Sequence, residues 1–197
     1  MSEVPSPPGQ PGQPGPAARD RHVVLVGMPG AGKSSVGRRL ARELARPFAD
    51  ADEQLELTAG RVIPQIFRDD GEATFRRLET QTLSELLTRH TPLVIAAGGG
   101  AVISEENRVL LGGHSIVVFL RGSAEFLVER TDPTHRPLLA EDPMAAYERL
   151  DRERAHHYEA VADEIVDIEP FHGGDDKPKR LLARHIVERL GLEPDLL

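Results

Sequence analysis

An α/β fold built on a parallel sheet is predicted by two observations: five short apolar runs alternate with helical patterns, and a glycine-rich loop joins the first run to the first helix. The runs at 22–26, 47–50, 92–97, 115–120 and 164–168 are the strand candidates. Helical pattern fills the gaps between them. Such alternation implies a three-layer α/β/α arrangement with helices on both sheet faces, and ligands then collect at the carboxyl ends of the strands.

The first strand candidate, His22–Val26, runs into Gly27-Met-Pro-Gly-Ala-Gly-Lys33-Ser34, and Val36, Leu40 and Leu44 then recur at helical spacing. This is a phosphate-binding loop in its strand–loop–helix setting. Glycines at 27, 30 and 32 let successive N–H groups point into one concavity, and the helix adds its positive end. Lys33 would reach the β- and γ-phosphates of a nucleotide. Ser34 supplies the hydroxyl oxygen that a nucleotide-bound magnesium ion prefers. A glycine-rich turn that merely caps a helix is the alternative.

The second strand ends Phe48-Ala49-Asp50-Ala51-Asp52, and a period of two puts both carboxylates on one side of the extended chain. Asp50 could orient magnesium-bound water, and Asp52 could accept a hydrogen bond from a substrate hydroxyl and take its proton. Asp52 could equally cap the helix that starts at Glu53. A long helix is expected to open at Gly71-Glu72, with Phe75, Leu78 and Leu86 on its apolar face. On it, Arg76 either pairs with Glu72 or Glu79 or aims its guanidinium fork at a substrate carboxylate.

The third strand runs into Gly98-Gly99-Gly100, where three glycines leave no side chain to pack. Close approach of a ligand explains them better than a bare turn. The segment Thr131-Asp-Pro-Thr-His-Arg136-Pro-Leu-Leu139 carries two prolines around one arginine and reads as a lid, or else as an ordinary surface connection. Arg152 and Arg154 alternate with Asp151 and Glu153, so a solvated helix face is their default reading.

Composition removes other classes. With 197 residues there is room for one substantial α/β core, and a net charge of -8 argues against general nucleic-acid binding. There is no cysteine, so disulfides and thiolate metal sites are excluded, and the eight histidines show no zinc-protease spacing; His156 and His157 read as an exposed helix surface. No apolar run approaches the roughly 20 residues that span a bilayer. The expected setting is cytoplasmic. Residues 1–20 are rich in Pro, Gly and Gln and are expected to be a disordered tail, with a proline-rich docking peptide as the alternative.

The phosphate loop, Asp50-x-Asp52, Phe75-Arg76-Arg77-x-Glu79, Gly98-Gly99-Gly100-Ala101-Val102, Arg136-Pro-Leu-Leu139 and Arg154 in an Arg-x-x-x-Tyr setting occur in the order found in shikimate kinases. The chain resembles that family over about residues 22–168. The resemblance implies a P-loop NTPase fold like that of nucleoside monophosphate kinases, with a five-stranded parallel sheet of order 2-3-1-4-5, one kinase domain over 21–197 and a lid at about 131–143. It implies ATP on Gly30, Ala31, Gly32, Lys33, Ser34 and Ser35, with Arg130 beside adenine and Arg136 closing with the lid. It places one Mg2+ per subunit on Ser34 and, through water, near Asp50. Shikimate is expected on Asp52, Gly98, Gly99 and Gly100, with its carboxylate held by Arg76 and Arg154. Lys33, Asp52 and Arg136 are the expected catalytic residues, the partners are ATP and shikimate, and a monomer is expected. The implied reaction carries the γ-phosphoryl group of ATP to the 3-hydroxyl of shikimate.

The chain departs from the family after Asp167, where Ile168–Pro178 is longer than the adenine-contacting loop and leaves Pro178 as a weak candidate for that contact. A kinase for another small hydroxy acid such as gluconate, and a nucleotide-dependent module without catalysis, are the competing readings.

Overall fold

A computed structural model describes residues 20–130, 142–173 and 176–192. In chain order its elements are β1 (His22–Val26), α1 (Lys33–Glu43), β2 (Phe48–Asp50), α2 (Ala51–Ala59), α3 (Ile63–Leu87), β3 (Val94–Ala96), α4 (Glu105–His114), β4 (Ser115–Arg121), α5 (Ala124–Val128), α6 (Pro143–Val161), β5 (Glu164–Asp167) and α7 (Asp176–Leu190). Short 3-10 turns cover Ala101–Ile103 and Glu169–Phe171. The expected tail up to residue 19 and the expected lid up to residue 141, with Arg136, lie outside the described residues.

All five strands form one sheet in the order β2-β3-β1-β4-β5, and every neighbouring pair is parallel. That is the order the resemblance implies. Helices cover both faces, with α1 against α7 in one layer and α4 packed on α3 and α6 in the other. Central strands enclosed this way must be apolar on both sides, which is why β1 and β4 read as continuous hydrophobic runs rather than alternating ones. Val23, Val24 and Leu25 of β1 and Val117, Val118 and Leu120 of β4 are wholly buried.

A second, smaller core lies away from the sheet, where Leu55 of α2 meets Ile66 and Phe75 of α3. It gives the α2–α3 pair its own packing. The helix expected to open at Gly71 is the second limb of a longer one: α3 starts at Ile63, and Gly71 breaks its backbone at φ 80 and ψ 173. Glycine tolerates this left-handed φ because it has no Cβ. Among the described residues no helix is long and apolar enough to cross a membrane.

His22 begins β1 with its ring buried, and its Nδ1 accepts a hydrogen bond from the Leu93 N–H at 3.1 Å. Burial pushes the imidazole below its ordinary pKa, helped by the charges of Arg46 and His114 and opposed by backbone hydrogen bonds at Arg89 and Leu87. The neutral ring is thus the one the fold prefers. Its stabilisation is complete above the free imidazole value of about 6.5 and is lost as pH falls below it, since the unfolded chain then binds the extra proton. We expect the melting temperature to fall on going from pH 7 to pH 5 and His22→Asn to flatten that dependence. Equal slopes for the two proteins in calorimetry would contradict this assignment.

Candidate active site

The donor side is built where β1 ends. Gly27, Gly30 and Gly32 have φ of 147, 81 and 82, values that L side chains rarely adopt. At Gly27 a Cβ would also lie 2.6 Å from the Leu120 carbonyl oxygen on β4. The loop therefore turns hard against the sheet edge and delivers Gly32 as the N-cap of α1, where no side chain caps the helix. The unmatched N–H groups and the positive helix end face the concavity, as an anion site requires. Ala31 of the loop is buried, and the Ser35 hydroxyl turns back to the Gly32 carbonyl at 3.0 Å. Lys33 Nζ donates to the carbonyl oxygens of Gly27 at 2.8 Å and Met28 at 3.1 Å, so the ammonium lies across the loop.

Asp50 works in two directions. Its Oδ2 accepts the Ser34 hydroxyl at 2.5 Å, while its Oδ1 accepts the backbone N–H groups of Asp52 and Glu53. Asp50 is therefore the N-cap of α2, which starts at Ala51 rather than after Asp52. The capping alternative for Asp52 is corrected accordingly. An aspartate in extended conformation at a strand's end can reach the second and third amides beyond it, whereas Asp52 already sits inside the first helical turn.

The acceptor side is built around the glycines after β3. A Cβ at Gly98 would lie 2.8 Å from both Asp52 Oδ1 and Glu79 Oε1, and one at Gly100 only 2.5 Å from Arg76 Nη1. Two carboxylates and a guanidinium thus press on bare backbone. Arg76 Nη1 donates to Glu79 Oε2 at 2.8 Å, and its Nε and Nη2 donate to Glu72 Oε1 at 3.3 and 3.2 Å. Both helical partners weighed for Arg76 are present, and the same side chain also faces Gly100. From the other wall, Arg154 Nη1 donates to the Gly99 carbonyl at 3.2 Å, and the Tyr158 hydroxyl donates to the same oxygen.

Arg154 departs from the solvated face expected of it. It is half-buried, and its Nε is buried with no hydrogen-bond partner among the described residues, whereas Arg152 is exposed beside Glu148. A buried N–H of a guanidinium left open is an incomplete hydrogen-bond set in a polar pocket. Burial raises the Glu79 carboxyl above its ordinary pKa, the Arg76 hydrogen bond and charge pull it down, Asp52 adds a further push up, and Arg154 a smaller pull down. In the sequence reading Glu79 is only a pairing partner of Arg76 and Tyr158 only the tyrosine of a motif, and neither is assigned to the site. The available signals were their spacing, Glu79 three residues after Arg76 and Tyr158 four after Arg154, which puts each on the same helix face as its arginine.

At the far end, Arg130 Nη1 lies 3.3 Å from His172 Nδ1, and its guanidinium stands over Phe126 at 5.0 Å. The lengthened loop folds back on α7, where a Cβ on Gly173 would meet Pro178 Cγ at 2.6 Å. A groove of about 500 Å³ runs beside it, lined by Pro170, Phe171, His172, Lys177 and Leu181 among others.

The sequence profile described as shikimate kinase matches residues 29–190. The chain belongs to the shikimate kinase family. It is 48% identical over 147 residues to the shikimate kinase of Aromatoleum aromaticum, covering 74% of this chain and 83% of that one. It is 46% identical over 150 residues to that of Bordetella pertussis, covering 75% and 71%. Among solved structures, the shikimate kinase from Acinetobacter baumannii in complex with shikimate superposes with a TM-score of 0.78 at 38% identity, over 86% of this chain and 92% of that one. The shikimate kinase from Aquifex aeolicus gives 0.73 at 34% identity, over 86% and 96%.

Two glycines of this shikimate kinase fold separate backbone constraint from side-chain constraint. Gly27→Ala forces a left-handed φ and a backbone clash, and a loss of stability of about 1–3 kcal/mol is expected in chemical denaturation. Gly100 has an ordinary φ of -103, so Gly100→Ala should leave stability nearly unchanged and instead displace the Arg76 guanidinium in a crystal structure. A large stability loss at Gly100 would show that the contact is not with a movable side chain.

Proposed function

We propose that this chain transfers the γ-phosphoryl group of ATP to the 3-hydroxyl of shikimate, giving shikimate 3-phosphate and ADP, a step toward chorismate and the aromatic amino acids. The observation that carries this reading is the meeting of the two glycine loops: a Cβ on Gly99 would stand 3.5 Å from Pro29 Cδ, ordinary contact distance. Donor and acceptor loops therefore share one cleft. A small anionic polyol calls for guanidinium groups and a hydroxyl acceptor on one side of it and a phosphate cradle on the other.

In this reading the loop amides of Gly30, Ala31 and Gly32, with Ser34 and Ser35, hold the phosphates. Lys33 leaves the Gly27 and Met28 carbonyls to meet the γ-phosphate. Arg76 exchanges its exposed Glu72 pair for the acceptor carboxylate, a substitution that costs little because exposed ion pairs contribute at most about 1 kcal/mol. Glu79 keeps the guanidinium in place during that exchange. Arg154 completes the grip, and the backbone of Gly98, Gly99 and Gly100 meets the hydroxyl groups. Asp52 accepts the hydrogen bond of the attacking hydroxyl and orients it. The hydroxyl oxygen bonds to the γ-phosphorus as the bond from that phosphorus to the β–γ bridging oxygen breaks and ADP leaves, and the hydroxyl proton passes to Asp52 late in the step, since the loose transition state makes alignment weigh more than early proton removal. Arg136 would supply positive charge to the transferring group, and Arg130 would stand beside adenine.

Ser34 Oγ and Asp50 Oδ2, hydroxyl and carboxylate oxygens in contact, are hard donors of the type that Mg2+ takes. Ser34 would hold the ion directly and Asp50 through water, one per subunit, and a bound ion neutralises charge on the β- and γ-phosphates. The reading includes a monomer working in the cytoplasm without nucleic-acid or membrane partners.

An ADP-release assay with magnesium-ATP and a panel of hydroxy acids tests it, and faster turnover with gluconate than with shikimate would overturn it. Arg154→Ala is expected to raise KM for shikimate roughly 10- to 150-fold, the loss of a charged hydrogen-bond partner, with a small effect on KM for ATP. Lys33→Ala is expected to act mainly on kcat.

A further inference from the structure

Both tyrosines of the chain lie on α6, eleven residues apart, and neither is exposed. Eleven residues make about three helical turns, so both rings leave α6 on one face. Arg154 falls on the same stripe. The Tyr147 hydroxyl donates to the carbonyl oxygen of Pro29 at 3.0 Å, inside the donor loop. The Tyr158 hydroxyl donates to the carbonyl oxygen of Gly99, inside the acceptor loop.

Each carbonyl belongs to the central peptide of a turn, one closed by the Ala31 N–H on the Met28 carbonyl at 3.2 Å and the other by the Ala101 N–H on the Gly98 carbonyl at 3.1 Å. The closing bond does not set the direction of that central peptide, and the residue after each carbonyl is glycine, Gly30 and Gly100, which accepts either orientation at small steric cost. A peptide plane whose carbonyl is held also has its N–H direction held, since the unit is planar. We propose that Tyr147 and Tyr158 are positioning residues: through one rigid helix they set the donor-loop peptide at Pro29 and the acceptor-loop peptide at Gly99 relative to each other. This inference rests on the kinase reading for its choice of ligands.

The surroundings support a directional role. The Tyr158 ring stacks on Phe119 of β4, with centroids 5.0 Å apart and planes at 20°, so the ring is fixed before the hydroxyl makes its bond. Burial pushes the Tyr158 phenol up to about 12, and it stays a donor throughout the neutral range. α6 begins at Pro143 behind the Asp142 N-cap, which follows directly on the segment that bears Arg136.

Tyr→Phe removes each hydroxyl and keeps the ring. In steady-state kinetics of the full chain, Tyr158→Phe is expected to raise KM for shikimate roughly three- to tenfold while KM for ATP stays within about twofold, and Tyr147→Phe to do the reverse. Equal changes of both KM values in both variants, in step with a fall in melting temperature, would reduce the tyrosines to packing and overturn the proposal. So would no change in either KM. A second measurement avoids dependence on any variant's kinetics: with 3-fluorotyrosine incorporated, the chain gives two fluorine resonances, assigned by whichever Tyr→Phe variant folds. Magnesium-ADP should move mainly the Tyr147 signal and shikimate mainly the Tyr158 signal. Two signals that ignore both ligands, or that answer either ligand alike, would overturn the proposal. If wild-type protein does not turn over shikimate, the functional reading fails by itself, and the response of Tyr147 to magnesium-ADP still judges this one.

Discussion

The site depends on one pairing, that of β1 with β3. These strands are distant in sequence and neighbours in the sheet, with Leu25 in register with Ala96 and the Ala97 N–H bonded to the Leu25 carbonyl at 3.0 Å. Their carboxyl ends therefore stop side by side, and one carries the Gly27 loop while the other carries Gly98 to Gly100. β2 lies next to β3 and adds Asp50 at the same edge, and β4 closes the far side of Gly27 with the Leu120 carbonyl. Reversal of strand order across β1 opens a crevice at this edge, the usual place for a ligand in an open parallel sheet.

The crevice is more charged than its acidic surroundings suggest. Asp52 and Glu79 converge on Gly98, Arg76 lies on Gly100, and Arg154 reaches Gly99, so charges of both signs meet around backbone that has no side chains. Pairing makes the most buried of these groups tolerable: Glu79 is nearly inaccessible, and the Arg76 hydrogen bond opposes the burial that raises its carboxyl above its ordinary pKa. Glycine at 98 and 100 leaves room for the ends of these side chains, which a Cβ would displace. At 27 it is demanded by the backbone itself.

The five strand runs, their parallel order through the family resemblance, and the donor loop were legible because they rest on local pattern: apolar runs, glycine spacing, and a lysine and serine at the first turn of a helix. Arg154 shows where local pattern stops. The three residues before it, Asp151, Arg152 and Glu153, are charged and exposed, so the segment reads as a solvated face, yet the turn of α6 over Gly99 half-buries the Arg154 side chain. Asp50 and Asp52 share a face by strand period, but the helix starts between them, and that start assigns the cap to Asp50.

By itself the amino-acid sequence determined the class of fold, the phosphate cradle and the order of the motifs, because each follows from residues a few positions apart and from their backbone preferences. The tertiary structure alone decided which charges face each other: Glu79 against Asp52 across Gly98, Arg76 against Gly100, and two tyrosines of one helix on two loops more than fifty residues from at least one of them. Those contacts arise only when β3 inserts between β1 and β2 and α6 packs over their ends. No local periodicity encodes such distances, since they are set by burial of the whole sheet.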